Sequence, residues 1–169
     1  LSANDQADPI TIERSTFAGL GKDPTGNGAH ALYIGGSGRL KVTRSRFERG
    51  TGGHYLKARV PDVEITGNSF DDSKGSHTNY MIDLSWGARG RIADNSFVQG
   101  AGKDNYSTMI AIAPEGAQNR SAGMVIENNR AWLAPAFKHE TTFVGNWSRD
   151  TLTLRGNALA PRIEALGRR

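Results

Sequence analysis

The sequence predicts an all-β chain wound as a solenoid, a right-handed parallel β-helix of about six coils. Three observations predict it. First, one pattern returns six times, an apolar residue, then Ser or Asn three positions later, then an apolar residue two further on: Ile12-Ser15-Phe17, Val42-Ser45-Phe47, Ile65-Asn68-Phe70, Ile92-Asn95-Phe97, Ile126-Asn129-Ala131 and Leu154-Asn157-Leu159. Second, successive units start 30, 23, 27, 34 and 28 residues apart. Units of that size are too short to bury their own apolar face and must stack on their neighbours. Third, a second apolar run, bounded by Gly, Asn, Asp or Ser, follows each of the first five patterns: Ala31 to Ile34, Tyr55 to Ala58, Tyr80 to Leu84, Met109 to Ile112 and Thr142 to Val144. Short β-branched or aromatic runs between turn residues read as strands. Two or three strands per unit is the metric of a parallel β-helix, and the absence of a hexapeptide period favours the right-handed kind.

Taken in order, the units define the coil positions. The Ser or Asn of each unit, Ser15, Ser45, Asn68, Asn95, Asn129 and Asn157, is expected to stack at one corner about 4.8 Å from the next, the spacing of paired strands. Asn tolerates the left-handed backbone of a tight corner, and stacked amides can hydrogen-bond along the column. Phe17, Phe47, Phe70 and Phe97 are expected to form a stack of core rings. In the fifth unit Ala131 replaces the ring, and the 34-residue interval there admits the apolar insertion Trp132-Leu133-Ala134-Pro135-Ala136-Phe137, expected over one flank. The repeats run from about 9 to 159. The tail, 160–169, is expected to cap the last coil through a helical turn at Pro161-Arg162-Ile163-Glu164-Ala165-Leu166, with Pro at its first position, because an uncovered end leaves strand edges unpaired. No comparable cap precedes Pro9-Ile10, so the chain fits the later part of a longer coil as well as a complete one.

At 169 residues the chain has the size of one domain, 1–169, enough for one continuous core. The 21 Gly and 37 % hydrophobic residues suit many short strands separated by turns. No stretch approaches the roughly 18 apolar residues of a membrane span, so a soluble protein, expected to be a monomer, is implied. Cysteine is absent, which removes disulfides and thiolate metal sites. The chain starts at Leu1-Ser2-Ala3 without a basic-then-apolar leader, as a processed protein would. A net charge of +4 tilts the surface toward anionic partners. The basic residues are spread one or two per unit, so no nucleic-acid-binding tail is present.

The alternation of "ITIERSTF", "VEITGNSF" and "GRIADNSF" with "HALYIGG" and "GGHYLKAR" resembles the right-handed parallel β-helix repeat proteins of the pectate-lyase-like superfamily, from about Pro9 to Leu159. Within it, Gly53 to Arg59 followed by Tyr80 to Asp83 is similar to a group of bacterial proteins without an assigned activity. The resemblance implies binding of an acidic polysaccharide along one outer face, and a secreted, periplasmic or cell-surface location. It implies no cofactor here. Calcium-dependent pectate lyases carry clustered Asp ligands, and the only close pair in this chain is Asp71-Asp72, in a loop, so calcium lacks support. The carboxylates, the Gly-His-Gly and the Arg-Ile-Lys segment of polygalacturonase-like hydrolases are missing, which disfavours two-carboxylate glycosidase chemistry.

The segment richest in chemistry is His54, Lys57 and Arg59. Strand parity puts Tyr55, Lys57 and Arg59 on one face, and Leu56 and Ala58 on the core side with His54. Two cations projecting from a flat sheet suit a uronate carboxylate. β-Elimination or epimerisation then needs a base at the carbon next to that carboxylate: Lys57 is the candidate base, Arg59 the neutraliser, and Tyr80, Tyr33 or Tyr55 the proton donor. His54 has a column partner in His30, and a buried neutral histidine bonded to backbone is its expected role. Asp83, inside an apolar run, needs a partner, expected to be Arg59 or Arg89. Glu115 extends the same stripe. The alternative is that these are structural ion pairs of a non-catalytic structural or glycan-binding module.

Overall fold

The computed structural model describes residues 1–3, 8–21 and 29–169. All regular elements among them are strands, and they fall into three parallel sheets. The first sheet contains β1 (Ser2–Ala3), β4 (Leu32–Ile34), β7 (Leu56–Ala58), β10 (Ile82–Leu84), β13 (Thr108–Ile112), β16 (Thr141–Asn146) and β19 (Ile163–Arg168). The second contains β2 (Ile10–Glu13), β5 (Arg39–Thr43), β8 (Asp62–Thr66), β11 (Arg89–Ala93), β14 (Val125–Glu127) and β17 (Thr153–Arg155). The third contains β3 (Thr16–Ala18), β6 (Arg46–Glu48), β9 (Ser69–Asp71), β12 (Ser96–Gln99), β15 (Arg130–Leu133) and β18 (Ala158–Leu159). Each coil visits the three sheets in turn, and every strand except those at the two ends of each sheet pairs with its counterparts in the coils before and after. This is a parallel β-helix of six coils, closed by a seventh strand in the first sheet.

The repeat register is the structural register. Ile12, Val42, Ile65, Ile92, Ile126 and Leu154 align across the second sheet, and Phe17, Phe47, Phe70, Phe97, Ala131 and Leu159 across the third. The four Phe rings stack with centroids 4.8, 4.8 and 5.1 Å apart, tilted by no more than 7°. Parallel pairing alone sets this spacing, so each ring covers the face of the next and excludes water from the interior.

The Ser/Asn corner forms a continuous hydrogen-bonded ladder. The backbone N–H of Ser45 donates to Asn68 Oδ1 (2.9 Å), that of Asn68 to Asn95 Oδ1 (2.8 Å), that of Asn95 to Asn129 Oδ1 (3.0 Å) and that of Asn129 to Asn157 Oδ1 (3.0 Å). The side-chain amides of the four Asn donate backwards to the carbonyls of Val42, Ile65, Ile92 and Ile126. One expectation needs correcting: the Asn residues do not take the left-handed backbone. The preceding residues do: Arg14, Arg44, Gly67, Asp94, Asn128 and Gly156, all with φ between 49° and 67°. The left-handed residue turns the corner, and the Ser or Asn after it is thereby aimed inward to satisfy the turned backbone.

The tail also departs from expectation. Residues Ile163–Arg168 form no helical turn; they are β19, which pairs with β16 and covers its open edge. A strand thus stands where a helical turn was expected, with Ile163 and Leu166 packed on the core. At the other end β1, before Pro9, pairs with β4. In the flank insertion Phe137 is buried under Tyr106, while Trp132 projects outward from β15. No helix of the described residues is long and apolar enough to cross a membrane.

Candidate functional site on the outer face of the first sheet

Within the first sheet, Leu32, Leu56, Ile82, Ile110, Val144 and Leu166 share one register position and fill the interior. The next position, Tyr33, Lys57, Asp83, Ala111 and Gly145, faces outward by the strand's period of two. Stacking thus brings a hydroxyl, an ammonium and a carboxylate from three coils into one row. Above them the row is flat, because Ala111 is small and Gly145 lies under the Trp147 ring: a Cβ at Gly145 would come within 2.6 Å of it.

A column of rings runs beside this row. His30 stacks on His54 at 4.8 Å, His54 on Tyr80 at 5.3 Å, and Tyr80 approaches Trp147 at 6.2 Å. Each histidine Nδ1 accepts the backbone N–H of the next coil, from His54 to His30 (3.1 Å) and from Tyr80 to His54 (3.2 Å). An accepting Nδ1 leaves the proton on Nε2, and that of His54 points at Asp83 Oδ2, 3.2 Å away. Burial, with Lys57 nearby, lowers His30 to about 4. Burial, then the neighbouring His30 and Lys57, holds His54 well below the usual histidine range. Both rings are therefore neutral at pH 7, as expected for His54. Their position differs from expectation: they flank the outer row instead of lying in the core.

The charged groups form one connected network. Lys57, whose side chain is 8 % exposed, donates to Asp83 Oδ2 (3.3 Å) and to Glu115 Oε1. Arg59 Nη2 donates to the other Glu115 oxygen at 2.5 Å, and Nη1 to the Tyr33 hydroxyl at 2.7 Å. The Arg59 guanidinium lies 5.0 Å from the Trp86 ring centre and 5.5 Å from that of Tyr33, a cation–π arrangement that fixes its plane. Ser85 donates to Asp83 Oδ2 at 2.9 Å, while Asp83 Oδ1 is buried without a partner. Burial raises the Asp83 carboxyl, with Lys57 and Ser85 pulling against it. Burial acts on Glu115 too, but the hydrogen bonds from Lys57 and Arg59 outweigh it and hold its carboxyl low. Two carboxylates on one lysine thus differ in sign of shift: enclosure dominates at Asp83, and the hydrogen bonds from Lys57 and Arg59 dominate at Glu115.

Seven of the eight residues singled out in the sequence meet on this face: Tyr33, His54, Lys57, Arg59, Tyr80, Asp83 and Glu115. Tyr55 does not. It lies before β7, where the chain is still turning the corner and parity does not yet apply, and it is buried inside the coil with its hydroxyl donating to Asp72 Oδ1 at 2.7 Å. The expected partners of Asp83 are also corrected, since Arg89 pairs with Asp62 and Arg59 with Glu115. Nor is Asp71-Asp72 a pair of loop ligands. Asp71 ends β9, and Asp72 is fully buried, its oxygens taken by Tyr55, Thr78, Lys103 and the Gly100 N–H. Neither oxygen is left to hold calcium. Trp86 and Trp147 carry no sequence signal for this site, as only the stacking of distant coils brings them to it.

Comparison with protein-family models, curated proteins and solved structures returned no match.

Proposed function

We propose that the outer face of the first sheet binds an acidic polysaccharide through its uronate carboxylates and carries out β-elimination or epimerisation on the bound sugar, in the manner of the pectate-lyase-like proteins the sequence resembles. The observation that supports this best is the convergence of Lys57 and Arg59 on a single carboxylate, within a border of Tyr33, Tyr80, Trp86 and Trp147 rings. Paired cations neutralise a sugar carboxylate, and half-buried aromatic rings give sugar faces apolar surface to lie on. Neutralising that carboxylate acidifies the adjacent C–H. In elimination a base removes this proton, the bond to the glycosidic oxygen at the next carbon breaks, the leaving oxygen takes a proton from an acid and a C=C bond forms. In epimerisation the proton returns to the opposite face of the same carbon.

Arg59 is the neutraliser in this scheme. Lys57, kept as a cation by Asp83, neutralises alongside it in place of the base role the sequence suggested, and the Tyr33 hydroxyl, held by Arg59 beside the carboxylate position, and Tyr80 are the groups to exchange protons with the sugar. The engagement of Lys57 by both Asp83 and Glu115 favours a second reading, a glycan-binding module without turnover. Either role belongs to the periplasm, the cell surface or the medium, where such polymers occur. Incubation with galacturonate, mannuronate and glucuronate polymers, monitored by ultraviolet absorbance of the C=C product, by proton NMR of the recovered polymer for inverted sugars as the second possible product, and by retention on immobilised polymer, separates the two. Absorbance growth or inverted sugars that Tyr33→Phe or Arg59→Ala abolishes supports catalysis, retention without either product supports the module, and neither product nor retention refutes both.

A further inference from the structure

We infer that Glu115 is a resident stand-in for the ligand: its carboxylate occupies the place of the uronate carboxylate, and a sugar enters by displacing it. This rests on the uronate-binding reading above and names the residue that sets its affinity and selectivity.

The geometry carries the argument. Glu115 comes from the turn after β13 and reaches back across two coils, one oxygen to Lys57 and the other to Arg59. Those are its only side-chain partners among the described residues, and at 37 % exposure its side chain is the outermost member of the network. Both cations have other holds. Arg59 keeps the Tyr33 hydroxyl and the Trp86 ring, and Lys57 keeps Asp83, whose side chain is 2 % exposed and cannot leave. Loss of Glu115 therefore leaves two fixed cations facing solvent, set for one planar group with an oxygen for each. A uronate carboxylate has that shape and charge; its methyl ester and a neutral sugar do not.

The turn that carries Glu115 is built to keep its backbone still while the side chain leaves. Ala113 has φ of 61° and Gly116 of 112°, the Glu115 N–H donates to the Ser85 carbonyl at 3.0 Å, and the Gly116 N–H closes on the Ala113 carbonyl at 3.1 Å. Exchange then requires only rotation of the Glu115 side chain into water. The resident carboxylate also keeps the buried Lys57 paired when no ligand is present, and makes weak anions or uncharged sugars poor competitors.

A ligand that must first displace a resident group binds more weakly by the fraction of time the site is free. If Glu115 holds the cations nine-tenths of the time, its removal strengthens binding about tenfold. The test is calorimetric titration of the parent, Glu115→Gln and Glu115→Ala with oligogalacturonate, oligomannuronate and oligoglucuronate and with their methyl esters. The expected result is roughly tenfold tighter binding of one acidic oligomer by both variants, with no gain for its ester. Equal or weaker binding by both variants, with the parent binding, overturns the inference alone. Absence of binding by all three proteins overturns the uronate-binding reading and this inference with it. A second measurement uses the parent only: on saturation with the acidic oligomer, the carboxyl ¹³C resonance of Glu115 is expected to titrate upward toward the ordinary Glu range. An unchanged titration in the bound protein refutes displacement even if the variants fail to fold.

Discussion

Replacing Asn95 with Ala tests how the coils are held in register. The Asn95 side chain makes four hydrogen bonds: its oxygen accepts from the Asn68 N–H and Nδ2, and its amide donates to the Ile65 carbonyl and to Asn129 Oδ1. The side chain is buried in mid-column, 2 % exposed, so no water replaces what is lost. The variant leaves the Asn68 N–H without an acceptor and weakens the bonding of three other buried groups. At about 1–3 kcal/mol per buried group left unpaired, with two groups bearing most of the loss, the expected cost is about 3–5 kcal/mol. Asn157 ends the same column and is half-buried, so water can reach the Asn129 groups it serves, and Asn157→Ala should cost only about 1 kcal/mol. Urea unfolding followed by far-ultraviolet circular dichroism gives both values from the shift in midpoint. Similar losses at the two positions, or less than about 1 kcal/mol at Asn95, would refute the ladder as a source of stability.

Phe70→Ala removes a ring from the middle of the stack and should cost about 3–5 kcal/mol by the same assay, since the rings on either side cannot close the cavity. Lys103→Met strips the buried Asp72 of its counter-charge and should cost about 3–5 kcal/mol, part of which Asp72→Asn in the same chain restores; no recovery in the double variant would mean the pair is not coupled. Stability should fall as the solution is acidified from about pH 6.5 to 4. In that window the unfolded chain protonates His30 while the folded chain, with His30 lowered to about 4, does not, so the unfolded state binds more protons and stability rises with pH. The half-exposed ring reduces the effect to about 1–2 kcal/mol. The raised carboxyl of Asp83 acts in the opposite sense, so the His30→Asn variant, compared with the parent across the window, isolates the histidine contribution through a flatter profile.

The coil was legible because its register is written in side chains that repeat at one position per turn: an apolar residue, a ladder residue and a ring. The left-handed corner was not, because Arg14, Arg44, Asp94 and Asn128 share no residue type with Gly67 and Gly156, and the conspicuous Asn stands one place later. The strand β19 read as a helical turn because Pro161 stands where a first helical residue would. In the sheet Ile163 and Leu166 reach the core through pairing with β16, which no local pattern announces. The site follows the same division. Strand parity alone identified Lys57 and Arg59 as outward neighbours, and Glu115 stood out as an acid on the same stripe. That Glu115 reaches back two coils, that Trp86 fixes Arg59 and that His30 and His54 flank the row follow from stacking between residues 24 to 58 positions apart. Tyr55 misled because it precedes the strand, where the chain is still turning the corner and its ring points into the coil.

The claim that the outer face of the first sheet is a uronate-binding surface is tested most directly by titrating isotope-labelled protein with oligouronates and mapping the backbone and side-chain NMR shifts. The account predicts salt-sensitive changes confined to His30, Tyr33, His54, Lys57, Arg59, Tyr80, Trp86, Glu115 and Trp147, weakening as added salt shortens the screening length below about 8 Å. Shifts centred instead on the third sheet around Arg130 and Trp132, or no shifts with any acidic oligomer, would contradict it.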